Sequence, residues 1–578
     1  MNSNIEGCDS GAVAPASPCG AWGSVCVITA EEIEASTAQH LGDVLKYYCG
    51  AHVLEYGMLG QPAATGFRGA TGQQVLIMID GRAVNDPQFG GYDLNFISLD
   101  MVERVEVVKG CATLYGRSGA LGGIVNITTR RVSSERPYTK LRYEKGNFGL
   151  RRSAVHFGKR FWKRCHLTIV FDERGTDGFR VKDDYDGQNI LGRIDYEPTS
   201  AARVTSTIGR YKGHVGRSGS DSYPAIHWRQ EDERIDGDVT LHTGRSGWSL
   251  ENSLFFSDIR TQGVGDSMYS YESEVYGGQV KASFRVHRNG TIRLGSHIQR
   301  IQSESPAQGE HTVHESSLQA TAELRPCRRF HLLLSGQCDG HSEYSARVSP
   351  GLTCGTEIPG VGLVRLSAST GYRFPALHEI FWDDGEPKIE PEQGTSFDLS
   401  LSRRRNHYEV RGSFFANDVS DRILWKEDSE RVWMPFNVDT RSTGFELSVQ
   451  KDLFRHVIFG STFTYLDAEN RGTGRVLARN PETLATAWLQ LSRAFIRDQM
   501  EWKVRIETEY TGRQYADFEE KVLMKKYALL HARMACRIQD LSLYVTFRNL
   551  TDKTYQSRAG YPMPGRTISF GGGWELWD

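Results

Sequence analysis

The chain has 578 residues, and its 69 basic and 71 acidic side chains leave a formal net charge of −2, so no global basic field argues for a nucleic-acid partner. The mean hydropathy is −0.46, and no apolar run approaches the ~18 residues of a helical span, which excludes a helical membrane protein. A transmembrane barrel is not excluded, because it needs apolar residues only at alternate positions.

Residues 1–24 (MNSNIEGCDSGAVAPASPCGAWGS) show neither a Lys/Arg start nor an apolar core, so no secretory signal is visible, and Cys8 lacks the apolar stretch of a lipoprotein leader. The ten cysteines, Cys8, Cys19, Cys26, Cys49, Cys111, Cys165, Cys327, Cys338, Cys354 and Cys536, show no zinc-site spacing. They read as small apolar fillers, with one disulfide within 327–354 left open should the compartment be oxidising.

Residues 25–132 mix two periods. Glu31 to Leu45 places Ile33, Leu41, Val44 and Leu45 behind Thr29 and two glutamates arranged as a capping box, which predicts one or two short helices. Val75–Ile79 and Val105–Val108 are β-branched runs of buried-strand type. Asp80-Gly81 predicts a tight turn, and NDPQFGGYD (85–93) an excursion away from the domain. The segment is read as a small α+β domain.

After Arg130 the period becomes strictly two. Trp502, Val504, Ile506, Thr508 and Tyr510 share one parity, and Glu501, Lys503, Arg505, Glu507 and Glu509 the other. Trp248, Leu250, Leu254 and Phe256 alternate with Ser249, Glu251, Ser253 and Ser257, and Leu541, Leu543, Val545 and Phe547 likewise with polar neighbours. One face this apolar beside one this charged fits lipid outside and a wet lumen inside. A soluble propeller stays as the alternative, although no blade motif repeats at a fixed period. Shared among the ~22 strands of a plugged outer-membrane barrel, 133–578 leave ~20 residues for each strand and its connection. Asp184-Tyr185-Asp186-Gly187 has a weak calcium-loop look but reads as a turn, and His378 carries no ligand spacing. No GxSxG, P-loop or HExxH occurs, so neither an enzyme nor a resident cofactor is expected.

Four ordered strings, VITAEEIEAS, LGDVLKYYCGAHV, GFRGATGQQVLIMIDGRAVND and VERVEVVKGCATLYGRSGALGGIVNITTR, resemble the plug of TonB-dependent outer-membrane receptors. STGYRFPALHEIFWDDGEPKIEPEQGTSFDLSL resembles that family's internal signature. NLTDKTYQSRAGYPMPGRTISFGGGWELWD resembles its final hairpin and last strand, with Asn549, Leu550, Asp552, Tyr555, Tyr561, Pro562, Pro564, Gly565 and Arg566 at matching positions. Departures are Cys111 where proline is common, Phe374-Pro375 in place of Ala-Pro, and Asp578 after the terminal aromatic Trp577.

The resemblance implies a transmembrane β-barrel of about 22 antiparallel strands (133–578) with an N-terminal α+β plug (25–132) in its lumen, behind a tail (1–24), in the outer membrane of a Gram-negative bacterium. It implies binding and import of a scarce metal chelate, a ferric siderophore first and cobalamin second, with a truncated receptor that only binds or signals as the alternative. Tyr56, Met58, Gln61, Gln88, Phe89 and Tyr92 would form ligand-facing plug apices. Arg68 and Arg104 would pair with glutamates on the lumen wall. Partners would be outer-membrane lipid, the chelate and the TonB energy-coupling complex. No TonB box is recognisable before Val25, so Val25, Val27 and Ile28 stand as the TonB contact, although Val25 to Thr29 reads more naturally as the first plug strand.

Overall fold

The computed structural model describes residues 25–110, 118–132, 134–162, 164–265, 269–287, 289–382, 388–427, 433–495 and 499–577. The expectations about the 1–24 tail, Cys111 and Asp578 lie outside the described residues.

The chain opens with β1 (Val25–Thr29), whose last residue caps α1 (Ala30–Ala35). The Thr29 hydroxyl accepts from the Glu32 amide and the Glu32 carboxylate accepts from the Thr29 amide at 2.9 Å, so the predicted capping box is closed. After α2 (Leu41–Cys49) come β2 (His52–Glu55) and β3 (Ala63–Gly66), a small hairpin. β4 (Val75–Ile79) turns through Asp80-Gly81, both at positive φ, into β5 (Arg82–Ala83), with Ile79 opposite Arg82. β6 (Val102–Lys109) and β7 (Gly123–Thr129) complete a sheet in the order β1-β6-β7-β4-β5. Val75, Ile77, Val105, Val107, Val125 and Ile127 from its strands pack with Leu41, Val44 and Leu45 of α2 in one apolar core.

From β8 (Tyr138–Gly146) onward the chain forms one closed antiparallel barrel of 22 strands, sealed where β8 pairs with Thr567–Trp577. Connections at one end are long (177–184, 374–391, 471–482, 512–526, 549–566) and at the other are short turns such as 200–201 and 246–247. That asymmetry sets the long-loop end outside and the short-turn end toward the periplasm.

The period of two is satisfied as the sequence predicts. Trp502 and Ile506 stay 40% and 45% exposed on the outer face while Arg505 and Glu507 are buried in the lumen, where they pair at 2.6 Å. Leu254 and Phe256 face out and Ser253 and Ser257 face in.

Two expectations are corrected. Asp184 to Gly187 does not make a turn: Tyr185 opens the strand Tyr185–Thr199, and the neighbouring carboxylates are taken by arginines, Asp184 by Arg229 at 2.8 Å and Asp186 by Arg151. Cys327, Cys338 and Cys354 are free; they lie on three successive strands opposite Phe330, Val348 and Leu332, so the register brings no two of them together.

Candidate functional site

The lumen is filled by the plug, and ion pairs fasten it to the wall. The Arg68 guanidinium reaches Glu446 at 2.8 Å and Asp398 at 2.9 Å with Phe415 under it, and Lys109 meets the same Glu446 at 2.7 Å. Arg104 behaves differently: its ion pair, at 3.2 Å, is with Glu106 of its own strand and not with the wall. β6 presents that side chain at a half-exposed position, where the nearest carboxylate is two residues along the same face.

A second fastening holds α2. Arg548 of the wall grips Asp43 at 2.6 Å and 3.1 Å, while Lys46 bridges Asp43 and Glu55 at 3.1 Å each and His40 bonds Glu55 at 2.9 Å. His40, Asp43 and Glu55 converge closely enough for a metal ion, but these carboxylates already carry two cations, so the cluster is an ion network. Burial pushes the Glu55 carboxyl up, and Lys46 with the His40 hydrogen bond outweighs it, holding the group at about 2 against an ordinary 4.5. A carboxylate held below its unfolded value adds stability above pH ~4.5 that is withdrawn as pH falls toward ~2, here on the order of 3 kcal/mol. We therefore expect the amide-exchange protection of β2 to fall across that window, and Glu55→Gln to abolish the pH dependence of β2 while leaving that of distant barrel strands.

At the outer end two plug excursions rise between β2 and β3 and after β5. In the first, Gly60 approaches the wall so closely that a Cβ would stand 2.1 Å from the Tyr185 ring, which only glycine tolerates. Met58 and Gln61 are buried there, the Gln61 amide donating to the Gly216 carbonyl at 2.7 Å. Tyr56 stands at the mouth with Tyr561 edge-on at 4.9 Å and the Arg558 guanidinium 4.4 Å over its ring, hydrogen-bonded to its hydroxyl.

The second excursion is shaped by Asn85, whose side chain bonds Ile77, Val75 and Gly90, and by Asp86, which accepts from the Gln88 amide and the Tyr271 hydroxyl. Gln88 is buried with its amide between Ser303 and Gln308 of the wall, and Tyr92 is buried under Arg234. Phe89 is the open one, 42% exposed, edge-on to Tyr271 and His378. Helix α3 (Leu377–Ile380) leans on this apex: the Leu377 and His378 amides donate to the Pro87 and Gln88 carbonyls. His378 stacks on Trp425 at 4.9 Å, and Trp382 meets Trp425 edge-on. Its Nδ1 lies 2.6 Å from the Gln88 carbonyl oxygen. Of the six predicted ligand residues, Tyr56 and Phe89 reach the outer surface, and Met58, Gln61, Gln88 and Tyr92 are packed beneath it.

Sequence reasoning missed the cations of this mouth. Arg180, Arg479 and Arg558 come from three separate outer connections toward Tyr561. Arg558 and Arg180 lie 5.6 Å and 5.9 Å from its ring. Burial lowers both Arg479 and Arg558, and the opposing acidic group in each case is the Tyr561 hydroxyl. Among the described residues neither arginine ion-pairs with a carboxylate. No local pattern signals this grouping, because it exists only where three loops meet.

At the periplasmic end, β1 is the edge strand of the plug sheet, paired along β6 from Val25↔Val108 to Thr29↔Arg104. Ile28 is fully buried, Val27 is 44% exposed, and the Val25 carbonyl accepts from Arg411 of the wall at 2.8 Å.

The comparisons with known proteins agree with this architecture. The family model for the TonB-dependent receptor plug domain matches residues 21–124, and that for the TonB-dependent receptor-like β-barrel matches 170–550. The vitamin B12 transporter BtuB of Photobacterium profundum is 24% identical over 570 residues, 94% of this chain and 91% of that protein. BtuB of Vibrio vulnificus is 25% identical over 577 residues, again 94% and 91%. Among solved structures, the copper transporter OprC superposes with a TM-score of 0.83 at 16% identity, covering 96% of this chain and 99% of that one. The siderophore receptor PirA from Acinetobacter baumannii gives 0.83 at 16% identity, with 96% and 98% covered. With a plug model and a barrel model both matched on a closed barrel of 22 strands whose lumen the plug fills, the chain belongs to the TonB-dependent receptors of the Gram-negative outer membrane.

Proposed function

We propose that this receptor binds an anionic, partly aromatic metal chelate of the ferric-siderophore class at its outer mouth and admits it to the periplasm when the plug is remodelled. The observation that carries the reading is the pair Arg479 and Arg558, both half-buried near Tyr561, with Arg558 also over Tyr56, and neither ion-paired with a carboxylate among the described residues. A guanidinium withdrawn from water gains most from an anion that completes its hydrogen bonds. Phe89, Trp425 and Tyr56 supply broad rings at low entropic cost, as a bulky planar ligand needs. Tyr56 and Phe89 are the contacts assigned from the plug; Met58, Gln61, Gln88 and Tyr92 support them from below. No bond chemistry is assigned to the protein. Energy is assigned to TonB, acting on the segment that runs into β1 at Val25, Val27 and Ile28, since an edge strand is where another strand adds.

Cobalamin is the second reading, favoured by the two BtuB relatives that align with 94% of the chain.

Titration of the detergent-purified receptor with an anionic ferric catecholate, a neutral ferric hydroxamate and cyanocobalamin separates the two. The ferric catecholate is expected to bind, and Arg479→Ala with Arg558→Ala to weaken it by roughly 10–100-fold, the worth of one or two charge-assisted hydrogen bonds. Binding of cyanocobalamin alone, indifferent to the two arginines, would establish the second reading and remove the first.

A further inference from the structure

We propose that Cys26 and Cys49 are joined by a disulfide in the mature receptor, tying the first plug strand to the end of α2. Cys26 is on β1 and Cys49 is the last residue of α2. The Cys26 Sγ stands 3.3 Å from the carbonyl oxygen of Tyr48, the residue before Cys49, so the strand and the end of the helix bring the two cysteines to the same point of the plug. Cys49 is buried in the plug core, and Cys26 packs against that same core from the edge strand. Both are free thiols in this structure. The fold fixes both backbones at this point. Gly50 ends α2 in the left-handed conformation, its amide donating back to Leu45, and β1 is held by five consecutive pairs to β6.

The location supplies the oxidant. The plug of an outer-membrane receptor faces the periplasm, where thiols meet protein disulfides. Cys26 is half-buried on the edge strand and Cys49 buried in the core, so Cys26 is the sulfur an incoming disulfide reaches and the attacking one. Its thiolate attacks an incoming disulfide, forming a mixed disulfide and expelling one thiolate. Cys49 then gives up its proton to that thiolate and attacks the Cys26 sulfur, expelling the second. Two receptor thiols are oxidised and one disulfide is reduced to two thiols, so electrons and protons balance.

The link has a mechanical consequence. β1 is otherwise an edge strand that a pull on the preceding chain strips from β6 one pair at a time. With Cys26 bound to Cys49, the same pull passes into α2, and through Asp43 and Lys46 into Arg548 and Glu509 of the wall. Force then acts on the fastening of the plug and not on its first strand.

The test uses the full-length receptor in isolated outer membranes, quenched in acid and treated with N-ethylmaleimide in denaturant without reductant, then digested for mass spectrometry. The expected result is a peptide pair containing Cys26 and Cys49, two hydrogens lighter than its reduced form, with both cysteines labelled only after reduction. Labelling of both without reductant, or either one joined to Cys8, Cys19 or Cys111, would overturn the assignment. The mechanical role is read by hydrogen exchange of Val25–Thr29: reduction of the wild type should accelerate it about tenfold or more, as loss of a cross-link permits. Cys49→Ser should match the reduced wild type and not respond to reductant. If that variant does not assemble, the wild-type comparison stands alone, and equal exchange before and after reduction would remove the mechanical role.

Discussion

Replacing Arg373 by methionine is expected to release the outer connection that seats on the plug. Arg373 ends the strand Gly362–Arg373 and is almost fully buried. Its guanidinium reaches Glu379 at 2.9 Å and Glu392 at 2.9 Å and 3.0 Å. Each carboxylate does a second job. Glu379 accepts from the Ala376 amide at the head of α3, and Glu392 accepts from Gln74 of the plug and from the Ile423 amide of the next strand. One cation thus joins wall, outer helix and plug, which gives a physical reason for arginine in the Tyr372-Arg373-Phe374-Pro375 signature. Removing it leaves two buried carboxylates without their cation, a loss of about 3–5 kcal/mol. Hydrogen exchange should show Leu377–Phe381 unprotected in Arg373→Met. Arg373→Lys should restore little, because an ammonium cannot span two carboxylates as a planar guanidinium does. Unchanged protection in the methionine variant would show that α3 is held by its contacts with Pro87 and Gln88 alone.

Placing lysine on the lipid face gives the second large effect. Ile506 is 45% exposed on the outer side of Met500–Thr511, between inward-facing Arg505 and Glu507. In lipid that position cannot hydrate an ammonium, and Ile506→Lys should reduce the free energy of barrel folding into bilayers by roughly 2–4 kcal/mol. Val522 is similarly exposed, at 51%, but sits in the outer connection 512–526, where water reaches it. Val522→Lys should stay within about 0.5 kcal/mol of the wild type. Urea titration of both variants in the same lipid vesicles is the measurement, and equal losses would contradict the assignment of this face to lipid.

Local chemistry made much of the architecture legible. The capping box at Thr29 and Glu32, the β-branched run Val75–Ile79 and the Asp80-Gly81 turn depend on neighbours within a few residues, so their signals lie in short strings. The alternation around Trp502 to Tyr510 is legible for a related reason: lipid on one side and a filled lumen on the other select residues at every second position. The strand number came with the resemblance; length only admits it, since ~22 strands leave ~20 residues for each crossing and its connection.

The site was less legible. Arg68 and Arg104 look alike in sequence, yet Arg68 meets Glu446 and Asp398 whereas Arg104 meets Glu106 beside it. The difference is which way each backbone faces once the plug is seated. The mouth residues Arg479, Arg558 and Tyr561 come from two outer connections, and Phe89 meets Tyr271 and His378 across far greater sequence separations. The neighbouring carboxylates at Asp184 and Asp186 have the look of a turn until the strand opens at Tyr185 and Arg229 and Arg151 take one each. The sequence by itself determined the periodic elements, the plug and barrel order and the family, since those rest on short-range conformational preference and on one repeated contrast between lipid and lumen. Tertiary structure alone decided which charges pair and which apical residues stay open, because those depend on contacts between separate segments that only the folding of the plug and the closure of the barrel around it bring together.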